Sequence, residues 1–340
     1  MKYTIVVPLY NCEAYIAKCL KSLLQQDFED YEVIVVNDGS TDHSLEVAKN
    51  CTKASERVRI VSQKNKGLSG ARNTGIREAK AEYLIFIDAD DYVEPTLLSS
   101  IDKVINNKDL LMYGYYNDIY EDDQLTSSSK REFSSTDVEK CVKTMQPLLL
   151  SGLIGYAWNK VYKRAVLLKN NLLFREGTAL VEDIVFNNDV FSCTDSIGIL
   201  CMPLVHYIQR NNRETLSKKK YNNLTELLTE SFMCRKNFFQ KYDPENYKKS
   251  MMEIFMLMVS YILNYGEGKS INIVKYCEAF YQNCKDNIQP KNAKDFAVNF
   301  ILQTKLLYFV VLLFRIRKKT GAIDVDKISY KQKNEEHDKI

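Results

Sequence analysis

Three acids stand within four positions at the end of an apolar run: Asp88, Asp90 and Asp91 in YLIFIDADDY, residues 83–92. Clustered carboxylates repel one another and resist leaving water. Such a group is either a solvated turn or a place for a cation. Asp88 and Asp90 offer hard oxygen ligands and few of them, which suits Mg2+ or Mn2+ with phosphate oxygens completing the shell. Asp91 could instead cap a helix opened by Pro95.

Other polar stretches follow apolar runs in the same way. Asp38 in NDGSTD (37–42) precedes Gly39. A carboxylate there can accept from a nucleobase imide N–H or a ribose hydroxyl. In QKNKGLSGARN (63–73), Gly67 and Gly70 keep the backbone open, and Arg72 can reach a pyrophosphate or a base. Taken singly, each stretch is equally an ordinary turn or a helix start. What sets them apart is their position.

The elements supply the positions. Residues 4–8, 32–36, 57–61 and 83–87 read as strands. Between them, residues 13–26 carry Ala14, Ile16, Ala17, Leu20, Leu23 and Leu24 at helical spacing. Helices are also expected over 42–50, capped by Thr41 or Asp42, over 69–79, and from Pro95 onward. This alternation predicts an α/β fold with a parallel sheet and helices on both faces. The nearly unbroken apolar strands fit burial on both sides. Ligands of such sheets bind beyond the carboxyl ends of the strands. PLYN (8–11), NDGSTD, QKNKGLSGARN and DADD would therefore share one edge. Later residues read as a strand over 109–120, a polar surface loop over 121–136, helices over 138–150 and 178–191, a run over 155–167 leading into a helix, and a strand over 204–210. Helical patterns continue from 221.

The chain has 340 residues, enough for two domains, and a formal charge of +3, too small to argue for nucleic acid. The KKKY run at 218–221 reads as a solvated face. Nine cysteines form no CxxC pair and their number is odd, which predicts reduced thiols in a cytoplasmic protein. No signal peptide is expected, since the first residues read as a strand. The longest apolar run, 306–314, is short of the ~20 residues of a membrane span. Residues 296–319 are largely apolar and end in RIRKK, which predicts either a packing helix or peripheral contact with an anionic membrane.

TIVVPLYN, VNDGSTD, NKGLSGARNTGI and YLIFIDADD, in this order and spacing, resemble family 2 glycosyltransferases with the GT-A fold. WNKVYKR (158–164), EDIVFNNDVF (182–191) and HYIQRNN (206–212) resemble its bacterial polysaccharide-biosynthesis branch. The resemblance covers residues 3–215 or so. It implies a Rossmann-like, mostly parallel GT-A domain over 1–215; the residue pattern beyond predicts a helical region over 216–323 and a polar tail over 324–340. The resemblance also implies inverting transfer from a nucleotide sugar, commonly a UDP-sugar, to a saccharide or lipid-linked saccharide, with Mn2+ or Mg2+, at the inner face of the cell membrane. Pro8, Tyr10, Asn11, Asp38, Arg72 and Asp88 match the nucleotide site, Asp88 leaning toward the ribose. Asp90 matches the metal ligand and Asp183 the catalytic base. Tyr207 and Arg210 fall where the family has a YxR segment near the diphosphate, although NNRETLS (211–217) departs from its usual continuation. Asp91 could adjoin the donor sugar, Trp158 could stack on the acceptor or pack in the core, and Glu182 is a neighbouring acid. His206 competes with Asp183 as base or is structural. Two alternatives are a nucleotide-sugar-binding protein without catalysis and, from the loose IFIDADDYV likeness, a haloacid-dehalogenase-type phosphatase.

Overall fold

The computed structural model describes residues 1–121, 123–178, 180–194, 196–210, 221–266, 270–302, 304 and 311. The expectations for residues 211–220, 306–310, 312–319 and 324–340 fall outside them.

The first four strands are β1 (Tyr3–Leu9), β2 (Tyr31–Asn37), β3 (Val58–Ser62) and β4 (Tyr83–Phe86). They alternate with α1 (Ile16–Leu24), α2 (Ser44–Thr52) and α3 (Gly67–Glu78). They pair in parallel in the order β3-β2-β1-β4. Every residue of β1 and β4 is buried, as their apolar sequences require. Helix α3 lies directly on β1. A Cβ at Gly75 would fall 2.2 Å from a methyl carbon of Val6, so only glycine allows this approach.

The sheet then changes character. The chain continues through β5 (Tyr92–Val93), α4 (Leu97–Asp102), β6 (Leu110–Glu121), β7 (Gln124–Arg131), α5 (Val138–Thr144), α6 (Pro147–Gly155), β8 (Lys160–Lys163), α7 (Arg164–Lys169), α8 (Glu182–Cys193) and β9 (Ile197–Arg210). The full order is β3-β2-β1-β4-β8-β6-β9-β5, with β7 also on β6. Ladders β4–β8, β6–β8, β6–β7 and β5–β9 are antiparallel, whereas β6–β9 is parallel. The sheet is therefore mixed, and only its first half is the parallel array expected.

Four local expectations are corrected. Part of the surface loop expected over 121–136 is β7, a largely exposed strand paired with β6. Its outer edge has no strand partner among the described residues, so serine and lysine carry no burial cost there. The helix expected over 138–150 is two helices. Pro147 lacks an N–H and holds Gln146 extended (ψ 129°), which ends the first and opens the second. Finally, the run over 155–167 contains strand β8, and α8 begins only at Glu182.

The chain divides into two compact units, Met1–Glu214 with Asn237–Pro244, and Thr215–Lys236 with Glu245–Ile340. Helices α9 (Leu224–Tyr242), α10 (Tyr247–Tyr265), α11 (Ser270–Cys284) and α12 (Ala293–Leu302) follow the sheet. The end of α9 counts with the first unit, where Phe238 packs on Phe191. In the second unit, Phe255 stacks on Phe280 at 5.1 Å and Phe232 meets both rings edge-on. Phe296 and Phe300, one turn apart on α12, are exposed. Among the described residues, no helix is long and apolar enough to cross a membrane.

Candidate active site

The parallel strands bring their following loops to one edge. Asn11, at φ +48°, accepts from the Thr41 N–H (2.9 Å) and so ties the loop after β1 to the loop after β2. Pro8 is buried in β1, while the Tyr10 side chain is exposed. The Asp38 N–H donates to Leu9 O. Asp38 is 2 % exposed, and its Oδ1 accepts from Gln63 Nε2 (2.7 Å) and Lys66 N–H (2.9 Å). Gly39 sits at φ +70°, and a Cβ there would crowd the Asn65 nitrogen at 3.0 Å. The tight NDGS turn thus fixes the Asp38 carboxylate against the third loop.

At the neighbouring strand end, Arg72 organises the acids. It lies on α3, is 1 % exposed, and donates through Nη2 to Asp88 (2.9 Å) and through Nη1 to Asp183 at the start of α8. Arg72, expected to reach a pyrophosphate or base, is a buried bridge between two carboxylates, and its Nε has no partner among the described residues. Its Cζ lies 5.2 Å from the Phe174 ring, which stacks on Phe186 of α8 at 3.9 Å. Asn73 exchanges two 2.8 Å hydrogen bonds with the backbone of Phe174. Sequence reasoning missed Asn73 and Phe174. The GARN run was visible, but its partner lies about a hundred positions away.

Asp183 has a second anchor, because its Oδ2 accepts from the Ala157 N–H at 2.9 Å. Glu182 is buried beside it, and its Oε2 finds no partner among the described residues. Burial, and then the Asp183 charge, push the Glu182 carboxyl up to about 7, with Arg72 opposing. Burial raises Asp88 as well; Arg72 opposes this, while Asp183 and Asp90 add to it.

Asp91 is a correction. It caps no helix, for α4 starts at Leu97 after Thr96. It is buried, and its Oδ1 accepts from the Ile208 N–H at 2.8 Å, which fastens the DADD loop to β9. Burial holds its carboxyl well above the usual range, and the charges of Asp90 and Asp88 add to this. Arg210, near the end of β9, opposes that shift and lies 3.8 Å over the Tyr15 ring. Asp90 is half-exposed and Asp88 partly so, while Asp91 keeps a buried Oδ2 without a partner among the described residues. No group of three or more metal-ligating side chains is gathered among those residues.

Trp158 is 2 % exposed and packs against Tyr115, Tyr156 and Tyr207. It has no free ring face for an acceptor sugar, and core packing is its observed role. Tyr207 belongs to the same aromatic cluster, with burial raising its hydroxyl and Asp91 and Asp90 adding to the effect. His206 is structural. It stacks between Tyr92 and Tyr116 at 4.1 and 4.5 Å, across three neighbouring strands, and its nitrogens meet Asp118 (2.7 Å) and Glu94 (2.9 Å).

A family model described as glycosyl transferase family 2 matches residues 4–169. The chain is 33% identical over 250 residues to the uncharacterized glycosyltransferase EpsJ of Bacillus subtilis (strain 168), covering 70% of each protein. It is 30% identical over 271 residues to the putative glycosyltransferase EpsH of the same organism, covering 78% of this chain and 77% of that one. Among solved structures, S. aureus TarS 1-349 in complex with UDP-GlcNAc superposes with a TM-score of 0.58 at 19% identity, over 89% of this chain and 92% of that one. That likeness is one of fold, the GT-A fold. The phosphatase alternative falls with these matches. An Arg72-bridged carboxylate pair at the loop edge of a GT-A sheet, in a chain with these relatives, places the protein in glycosyl transferase family 2.

Proposed function

We propose that this protein is an inverting transferase that moves a sugar from a nucleotide-sugar donor, a UDP-sugar, to a hydroxyl of a saccharide or lipid-linked saccharide in cell-surface polysaccharide synthesis. The observation that carries this is the fixed Asp183 carboxylate, held by Arg72 and by the Ala157 N–H beside the DADD loop. Each of its oxygens keeps a second lone pair for an incoming hydroxyl. The acceptor oxygen attacks the anomeric carbon from the face opposite the leaving diphosphate. Asp183 takes the hydroxyl proton as the new C–O bond forms and the bond to the diphosphate breaks. No covalent enzyme nucleophile is required.

Asp38, with Oδ1 already engaged, offers its other oxygen to a base N–H or ribose hydroxyl, and the exposed Tyr10 offers a ring face to the base. Arg210 supplies positive charge near the acids. Asp90, with Asp88, would hold Mn2+ or Mg2+, and a bound ion neutralises charge on the diphosphate. The exposed Phe296 and Phe300, with the basic run at 315–319, support peripheral contact with an anionic membrane.

The test is a panel of nucleotide sugars with manganese present, read by release of UDP or GDP. Donor-dependent release of UDP that grows with a saccharide acceptor supports the reading. No release with any donor defeats it. Removing residues after 295 should lower the membrane-bound fraction, and an unchanged fraction would sink the membrane contact alone.

A further inference from the structure

The turn that holds Asp183 is itself held from beneath. Helix α6 ends at Gly155, and the last carbonyls of a helix have no partners within it. Here four successive carbonyls are taken up by three side chains, all fully buried. Asn187 Nδ2 donates toward Ile154 O (3.2 Å), Gly155 O (2.9 Å) and Tyr156 O (3.1 Å). Lys160 Nζ donates to Leu153 O (3.1 Å), Asn159 Oδ1 (2.9 Å) and Tyr156 O. Asn159 Nδ2 donates to Leu153 O and Tyr113 O, both at 2.9 Å. The Tyr162 hydroxyl donates to Asn187 Oδ1 at 2.7 Å, which sets the orientation of that amide.

We infer that Lys160 and Asn187 are positioning residues for Asp183: by gathering the carbonyls of residues 153–156 they aim the Ala157 N–H at the Asp183 carboxylate. This rests on the transferase reading above. Asn187 lies one helical turn after Asp183 on α8, so the two side chains share a face. The helix therefore grips the turn twice, at its N–H through Asp183 and at its carbonyls through Asn187. Lys160 completes the grip. Its ammonium spends all three protons on neutral oxygens, with no carboxylate among its hydrogen-bond partners. Burying such a charge is costly, and burial brings its pKa down to about 7, with Asp183 opposing. A cation beside the carbonyl end of a helix recovers part of that cost.

The experiment is a double-mutant cycle in the full chain, after wild type and Asp183→Asn have been compared. Ala157→Pro deletes the single N–H. Lys160→Met should lower kcat by about 30-fold or more, with UDP Kd and donor KM within about 3-fold, the scale expected for a misplaced catalytic group. In the Ala157→Pro background the same change should cost less than about 3-fold, because both act through one contact. Additive losses, or a folded Lys160→Met within about 3-fold of wild-type kcat, overturn the inference. If Lys160→Met does not fold, Asn187→Ala is held to the same criteria. Amide exchange at Ala157 is read in parallel and needs no reaction: Lys160→Met or Asn187→Ala should accelerate it, and unchanged protection overturns the inference. A wild type without turnover would defeat the transferase reading while leaving that exchange result to stand by itself.

Discussion

Arg72 and Asp183 lie 111 positions apart in the sequence and form a part-buried ion pair in the first unit. The same guanidinium reaches Asp88, so one side chain on α3 sets the spacing between the DADD loop and the start of α8. Removing it leaves two acids facing each other in a poorly solvated place. Arg72→Met should therefore lower stability by about 3–5 kcal/mol, read as a shift in the urea unfolding midpoint. A midpoint equal to wild type would mean that the bridge does not hold the acids.

Asp183→Asn keeps the size of the side chain and removes its basicity. Transfer should fall by about 10²- to 10⁴-fold, the usual contribution of a general base. UDP affinity, measured by calorimetry, should stay within a few-fold, since Asp38 and Tyr10 are untouched. Turnover near wild type would take Asp183 out of the base role.

Chelation probes the acid cluster. EDTA should suppress transfer and Mn2+ should restore it. Asp90→Asn should raise the Mn2+ concentration needed for half-maximal activity by about 10-fold or more, as expected when a hard anionic ligand becomes neutral. Full activity in EDTA would argue that Arg210 and its neighbours neutralise the diphosphate without a metal.

Glu182 makes a prediction about stability and pH. Its carboxyl sits at about 7 in the folded protein against an ordinary value of 4.5. Between those values the folded state binds more protons than the unfolded one. The contribution is complete below the unfolded value and is lost as pH rises toward 7, at up to ~1.4 kcal/mol per pH unit. Glu182→Gln should flatten that part of the profile of Tm against pH. A slope identical to wild type would assign the titration to another group.

The candidate site is legible in the sequence as far as its strand ends, because β1, β2 and β4 are nearly pure apolar runs, each followed by polar or glycine-containing residues. That pattern marks both the sheet and its ligand edge. What stayed hidden depends on contacts between distant segments. Asp91 is one acid among three until Ile208, 117 positions later, is seen to donate to it. Arg72 is one cation in a glycine-containing loop until Asp88 and Asp183, the latter 111 positions later, are seen to accept from two of its N–H groups. The strand β7 was hidden for a different reason. An exposed edge strand carries no apolar alternation, so its serines read as a loop.

Trp158 offers a consequence of another kind. It is the only tryptophan in the chain, and it sits one residue after Ala157, shielded from water by tyrosines. Intrinsic indole fluorescence from this protein therefore arises at a single location, inside the turn that holds Asp183. A red shift in emission would report water entering that turn and nowhere else. The molecule thus carries its own optical gauge, readable without labelling, of whether Asp183 is still held in place.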